Sequence, residues 1–115
     1  MSRGSAIVIL IFAAVLEAGG DAIIRQGLRS GALARLLLFA AGGCVLFAYG
    51  WFVNAPPWNF GSLLGLYVVF FFLIAQLMAW IGFGQKPTGA VLLGGALIVA
   101  GGVIIALGEM ARSTH

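Results

Sequence analysis

Apolar residues run along this chain in four blocks, about 5–24, 34–54, 60–82 and 87–108, and the stretches between them are short and hold most of the polar residues. Each block approaches the roughly 20 residues that a helix needs to cross a hydrocarbon core about 30 Å thick. The pattern therefore predicts an all-α fold, an integral membrane four-helix transmembrane bundle, with residues 1–115 forming a single domain. A composition of 63% hydrophobic and 8% charged residues, with a mean hydropathy of +1.16, is too apolar for a soluble domain of this size. Four spans and three short connections use nearly the whole sequence, which leaves no room for a separate binding or catalytic module. Arg3 followed by an apolar run and by Ala18, Gly19 and Gly20 imitates a secretion signal, but three further spans favour an uncleaved first helix.

Against this background the first block is unusual. The chain has three acids, and two of them, Glu17 and Asp21, fall in or at the end of the first span, followed by Arg25. The i, i+4, i+8 spacing stacks all three on one helix face. A carboxylate in a membrane is costly to keep and by default marks a functional site. At about 1.5 Å per residue, Glu17 lies roughly 12 Å inward of Arg25, near the bilayer middle, while Asp21 is shallower. Arg25 reaches Asp21 more easily than Glu17, so an Asp21–Arg25 ion pair near the helix end is the structural reading of Asp21. Glu17, deeper and without a nearby base, is expected to carry a proton and to exchange it for a cation. The third acid, Glu109, is assigned to a C-terminal tail.

The other blocks carry fewer polar residues. The second ends in Tyr49, Trp51 and Phe52, and Pro56-Pro57 then forces a turn before the third. Trp51, Trp58 and Phe60 read as an interfacial aromatic group at this hairpin. In the third block Gln76 is the strongly polar mid-span residue. Counted inward from the loop near Gly84 it is as deep as Glu17 is from Arg25, so the two share a layer, or Gln76 is ordinary packing glue. Tyr67 either lines a cavity or belongs to the aromatic belt. The fourth block places Gly94 and Gly101 two turns apart on one face, which suits close helix approach and self-association.

The net charge of +3 comes from six bases scattered at span ends, without the stripe or cluster that nucleic acid requires. Four of them, Arg25, Arg29, Arg35 and Lys86, fall on one side and Arg3 and Arg112 on the other, a bias toward termini outside that is small enough for dual insertion to remain an alternative. Cys44 excludes an intramolecular disulfide or a thiolate cluster and reads as a small packed apolar residue. No Ser/His/Asp or Cys/His set, metal-ligand cluster or phosphate-binding loop is present, so neither an enzyme nor a cofactor or metal is expected, and His115 reads as a tail residue.

Three stretches resemble the small multidrug resistance family, the four-helix branch of the drug/metabolite transporter superfamily. Leu16-Glu17-Ala18-Gly19-Gly20, with Arg25 eight positions after the glutamate, resembles the family's membrane glutamate motif. Trp80-Ile81-Gly82-Phe83-Gly84-Gln85-Lys86 resembles its Trp and Gly-Gln-basic connection, and Gly94 to Ile105 resembles its dimerisation helix. The resemblance implies an antiparallel or otherwise paired homodimer whose two copies of Glu17 share one site, where protons and a cationic or polyaromatic substrate compete. The chain departs from the family pattern in the third helix, where Leu64, Tyr67 and Val69 to Phe71 replace a tyrosine, a tryptophan and a Gly-x-Gly kink, and at Asp21, where the family usually has a small or hydroxyl residue. A YnfA-like sister group and flippases of lipid-linked sugars are similar in kind.

These readings combine into one expectation: a proton-coupled exporter of small organic cations in a bacterial inner membrane, lipid-embedded and homodimeric. Substrate and protons would bind through Glu17, Asp21, Tyr67 and Gln76, and the dimer would form through Gly94 and Gly101. The alternatives are a non-transporting structural or regulatory subunit of a larger membrane complex and a lipid-linked substrate flippase.

Overall fold

The computed structural model describes residues 2–113 of the 115, so the reading of His115 lies outside the described residues. It contains four helices, α1 (Arg3–Leu28), α2 (Ala32–Val53), α3 (Phe60–Phe83) and α4 (Gly89–Ser113). All four are long and apolar enough to cross a membrane, and the chain is a multi-pass membrane protein.

The helices outrun the apolar blocks where polar groups complete their hydrogen bonding. Helix α1 continues to Leu28 because Arg35 Nε and Nη2 donate to the carbonyls of Gly27 and Leu28 at 3.3 and 3.1 Å, and Ser30 Oγ donates to that of Gln26 at 2.8 Å. A cation on the last carbonyls of a helix also suits its dipole, and the α1–α2 turn shrinks to three residues, Arg29 to Gly31. Helix α3 ends on Gly84, whose φ of 67° lies in the left-handed region that favours glycine. Gln85 N then bonds Ala79 O at 2.9 Å and Gly84 N bonds Trp80 O at 3.1 Å, a glycine-terminated helix end. Thr88 Oγ1 accepts from Val91 N at 3.2 Å and starts α4. That helix runs through Glu109, which is therefore helical at the end of a span and not part of a loose tail.

The main packing is α1 on α2, α1 on α3 and α3 on α4, in the spatial order α2, α1, α3, α4. The molecule measures 56 × 33 × 19 Å. Helices α2 and α4 flank the α1–α3 pair, and their outer faces carry large exposed apolar residues, among them Leu36, Leu37 and Phe47 on α2 and Leu92, Leu93 and Leu97 on α4. Helix α1 crosses α2 where Gly20 meets Gly42. A Cβ on Gly20 would lie 3.3 Å from Gly42 O, and one on Gly42 would lie 3.2 Å from Gly20 O. The Leu46 and Ile24 side chains fill the hollows over Gly20 and Gly42, at 2.7 Å from where each Cβ would be, so glycine at both positions suits this close approach, which is how apolar helices associate tightly in lipid.

Between α3 and α4 the side chains interlock. Phe72 and Val69 of α3 fill the hollows over Gly95 and Gly102, and Ile105 of α4 fills the hollow over Gly65. The core cluster is Leu10, Ala13, Ala14, Val53, Leu63 and Tyr67, with Phe52, Trp58 and Phe71 packed around it. Cys44, expected as a packed residue, is exposed on α2. That helix packs mainly on α1, so its outer side has no protein against it.

Candidate functional site

Three helices converge on Glu17. Helix α1 brings the carboxylate, and Ala13, Ala14 and Ala18 on the same helix are small enough to let the neighbouring helices close in around it. Side chains of a helix lean toward its N-terminus, so Glu17 hangs toward Ala13 and meets Tyr67 of α3. Tyr67 OH donates to Glu17 Oε1 at 2.9 Å across 50 residues of sequence. Tyr67 is only 3% exposed, and no other polar group of α3 lies in this core. A buried phenol needs a hydrogen-bond partner, and here a carboxylate fills that role.

Tyr49 of α2 completes the arrangement. Its ring lies 5.7 Å from that of Tyr67, and it interacts with Glu17 as well. Phe71, one turn along α3, stacks on Tyr67 at 6.3 Å with 25° between the planes. One carboxylate thus stands against two phenols, with a phenyl ring stacked on one of them. Aromatic faces attract an organic cation by about 0.5–2 kcal/mol each, more when water is excluded, and the carboxylate supplies the matching charge.

Asp21 lies one turn further along α1 and is exposed in a cleft of about 270 Å³ between α1 and α3. Phe71, Ala75, Phe83, Gln85 and Arg25 share this cleft. The expected Asp21–Arg25 ion pair does not form. The Arg25 guanidinium sits 5.3 Å over the Phe83 ring instead, because both line the α1–α3 cleft and Phe83, the last residue of α3, offers an aromatic face there. Phe71 borders both the Tyr67 stack and this cleft, so the cleft lies directly beside the Glu17 group.

Gln76 is elsewhere. It lines a groove of about 470 Å³ between α3 and α4, with Phe72, Val91, Gly95 and Ala96. Nine residues at 100° each separate it from Tyr67, so the two point about 180° apart around α3. Equal depth does not bring Gln76 to Glu17. Gly94 and Gly101 stay open, with nothing within 4 Å of a Cβ at either, while their neighbours Gly95 and Gly102 make the contacts to α3.

The structure thus brings Glu17 and Tyr67 together and sets Asp21 in the neighbouring cleft. It adds Tyr49 and Phe71, which the sequence reading missed. A signal for Tyr49 existed: α2 runs antiparallel to α1, and a long side chain leaning toward its own N-terminus points back to the depth of Glu17. Among the described residues no group of His, Cys, Asp and Glu is arranged to hold a metal ion. Comparison with family models, with curated proteins and with solved structures returns no match for this chain, and its function is read from the three-helix carboxylate site alone.

Proposed function

We propose that the protein is a proton-coupled transporter that exports small organic cations, with Glu17 shared in turn by proton and substrate. The observation that carries this reading is the Glu17 carboxylate held by Tyr67 at 2.9 Å inside a membrane-spanning core, with Tyr49 and Phe71 as aromatic neighbours. An ionisable group in a membrane faces its function rather than lipid. In this scheme Glu17 gives up its proton when a cation settles against the carboxylate and the rings, and takes one up again after the cation leaves on the other side. Because α1 contributes Glu17, α2 Tyr49 and α3 both Tyr67 and Phe71, a shift of these helices against one another changes access to the site, as alternating access requires.

The open Gly94 and Gly101 flank of α4 suits a homodimer, since small residues without an in-chain neighbour let a second helix approach. The setting is an inner membrane with both termini on one side. The bare outer face of α2, where nothing lies within 4 Å of a Cβ on Gly43 or Gly50, favours the second reading, a structural subunit seated against a larger membrane partner.

One titration separates the two. Purified protein in weakly buffered detergent is mixed with a panel of quaternary and guanidinyl cations, and proton release is recorded for wild type and Glu17→Gln. Release by wild type that disappears in the variant supports the transporter. No release with any cation across neutral pH sinks it and leaves the subunit reading.

A further inference from the structure

We propose that the groove between α3 and α4 around Gln76 seats a helix of a second copy of this chain, with the Gln76 side chains of the two copies hydrogen-bonded to each other. The inference does not depend on the transport reading.

Gln76 is partly buried and has no hydrogen-bond partner among the described residues. It lies eight residues inward of Gly84, about 12 Å at 1.5 Å per residue, which is close to the middle of a hydrocarbon core about 30 Å thick. At that depth there is no water, and lipids carry their polar atoms at the surface. An amide left alone there is costly. The partner that satisfies it has to come from another transmembrane helix.

The groove is shaped for one. Ala96 and Ala100 of α4 line its floor, beside Gly95, whose own hollow is filled by Phe72, and about 470 Å³ of space lies open along them. Small residues of this kind allow helices to approach closely in lipid. A second copy is the occupant that the chemistry selects. A glutamine amide has donors and an acceptor, so two of them satisfy each other across a two-fold axis. Parallel copies related by an axis along the membrane normal hold both amides at one depth. Arginine or lysine on a partner would need an acid, and the groove lining contains none.

This contact is separate from the glycine flank. Gly95 and Gly102 face α3. At 100° per residue, Gly94 and Gly101 lie about 100° to one side of that direction and Ala96 about 100° to the other. One copy can therefore engage two others, one on each side of α4.

The test uses the full chain, labelled at its N-terminus and diluted into lipid vesicles, with self-association followed by energy transfer. Gly94→Leu and Gly101→Leu together block the glycine flank, so the remaining association reports the groove. On that background Gln76→Leu is expected to weaken association about three- to twenty-fold, the range of interhelical hydrogen bonds in membranes. Gln76→Asn keeps most of it, and Leu77→Ala, on another side of α3, changes nothing. Equal association for Gln76→Leu and its parent, or no association of the flank-blocked parent at all, would overturn the proposal. Proton release measured on the same samples tells this failure apart from failure of the transport reading.

Discussion

Two neighbouring glycines of α4 should respond in opposite ways to the same added methyl group. In Gly102→Ala the new Cβ meets the Val69 side chain. Val69 is β-branched and in a helix is held almost entirely to one χ1 rotamer, so it cannot turn aside and the two helices must move apart. Overpacking of this kind costs about 1–3 kcal/mol. Alanine returns about 1 kcal/mol in helix propensity, which leaves a net loss of about 0–2 kcal/mol. In Gly101→Ala the Cβ meets nothing within 4 Å, and the same 1 kcal/mol is gained outright. The two variants should differ by about 1–3 kcal/mol. Unfolding by sodium dodecyl sulfate in mild-detergent micelles, at protein concentrations low enough to keep the chain monomeric, reads this difference from the shift in midpoint. A Gly102→Ala protein at least as stable as Gly101→Ala would show that α3 and α4 do not pack through Val69 and Gly102.

Tyr67→Phe removes the hydroxyl that holds Glu17 and keeps the ring stack. Hydrogen bonds to a charged group are worth about 1.5–3 kcal/mol, so cation affinity measured by calorimetry at fixed pH should fall about tenfold or more, whereas an unchanged affinity would remove Tyr67 from the site. Arg25→Ala should shift the same unfolding midpoint by no more than about 1 kcal/mol, the worth of an exposed cation–π contact; a loss of about 3 kcal/mol or more would mean that Arg25 pairs with a buried acid after all.

Hydrophobic patterning was enough to establish the four membrane helices, because an apolar run of about 20 residues has few other ways to hide its backbone. Glu17 was legible for the same reason: a carboxylate that survives in such a run stands out against everything around it. Partner choice was harder to read. Counting depth from the loops ranked Gln76 with Glu17, but depth is one coordinate of three. The rotation of about 180° between Tyr67 and Gln76 was already in their spacing, and which of these faces turns to α1 was not.

That choice belongs to the tertiary structure. Gly20 against Gly42 sets how closely α2 approaches α1, and the Gly65, Gly95 and Gly102 hollows lock α4 onto the far side of α3. With α4 on the Gln76 side, the opposite face of α3 is left for α1, and Tyr67 reaches Glu17. The same arrangement decides which glycines are used within the chain and which stay open, though Gly94 and Gly95 are equivalent in composition. By itself the sequence determined the membrane, the number of spans and the acid at their centre, since each follows from the cost of placing one residue type in hydrocarbon. The partners of that acid, Arg25 resting on Phe83 rather than Asp21, and the isolation of Gln76 were decided only by helix packing, because they depend on which faces meet.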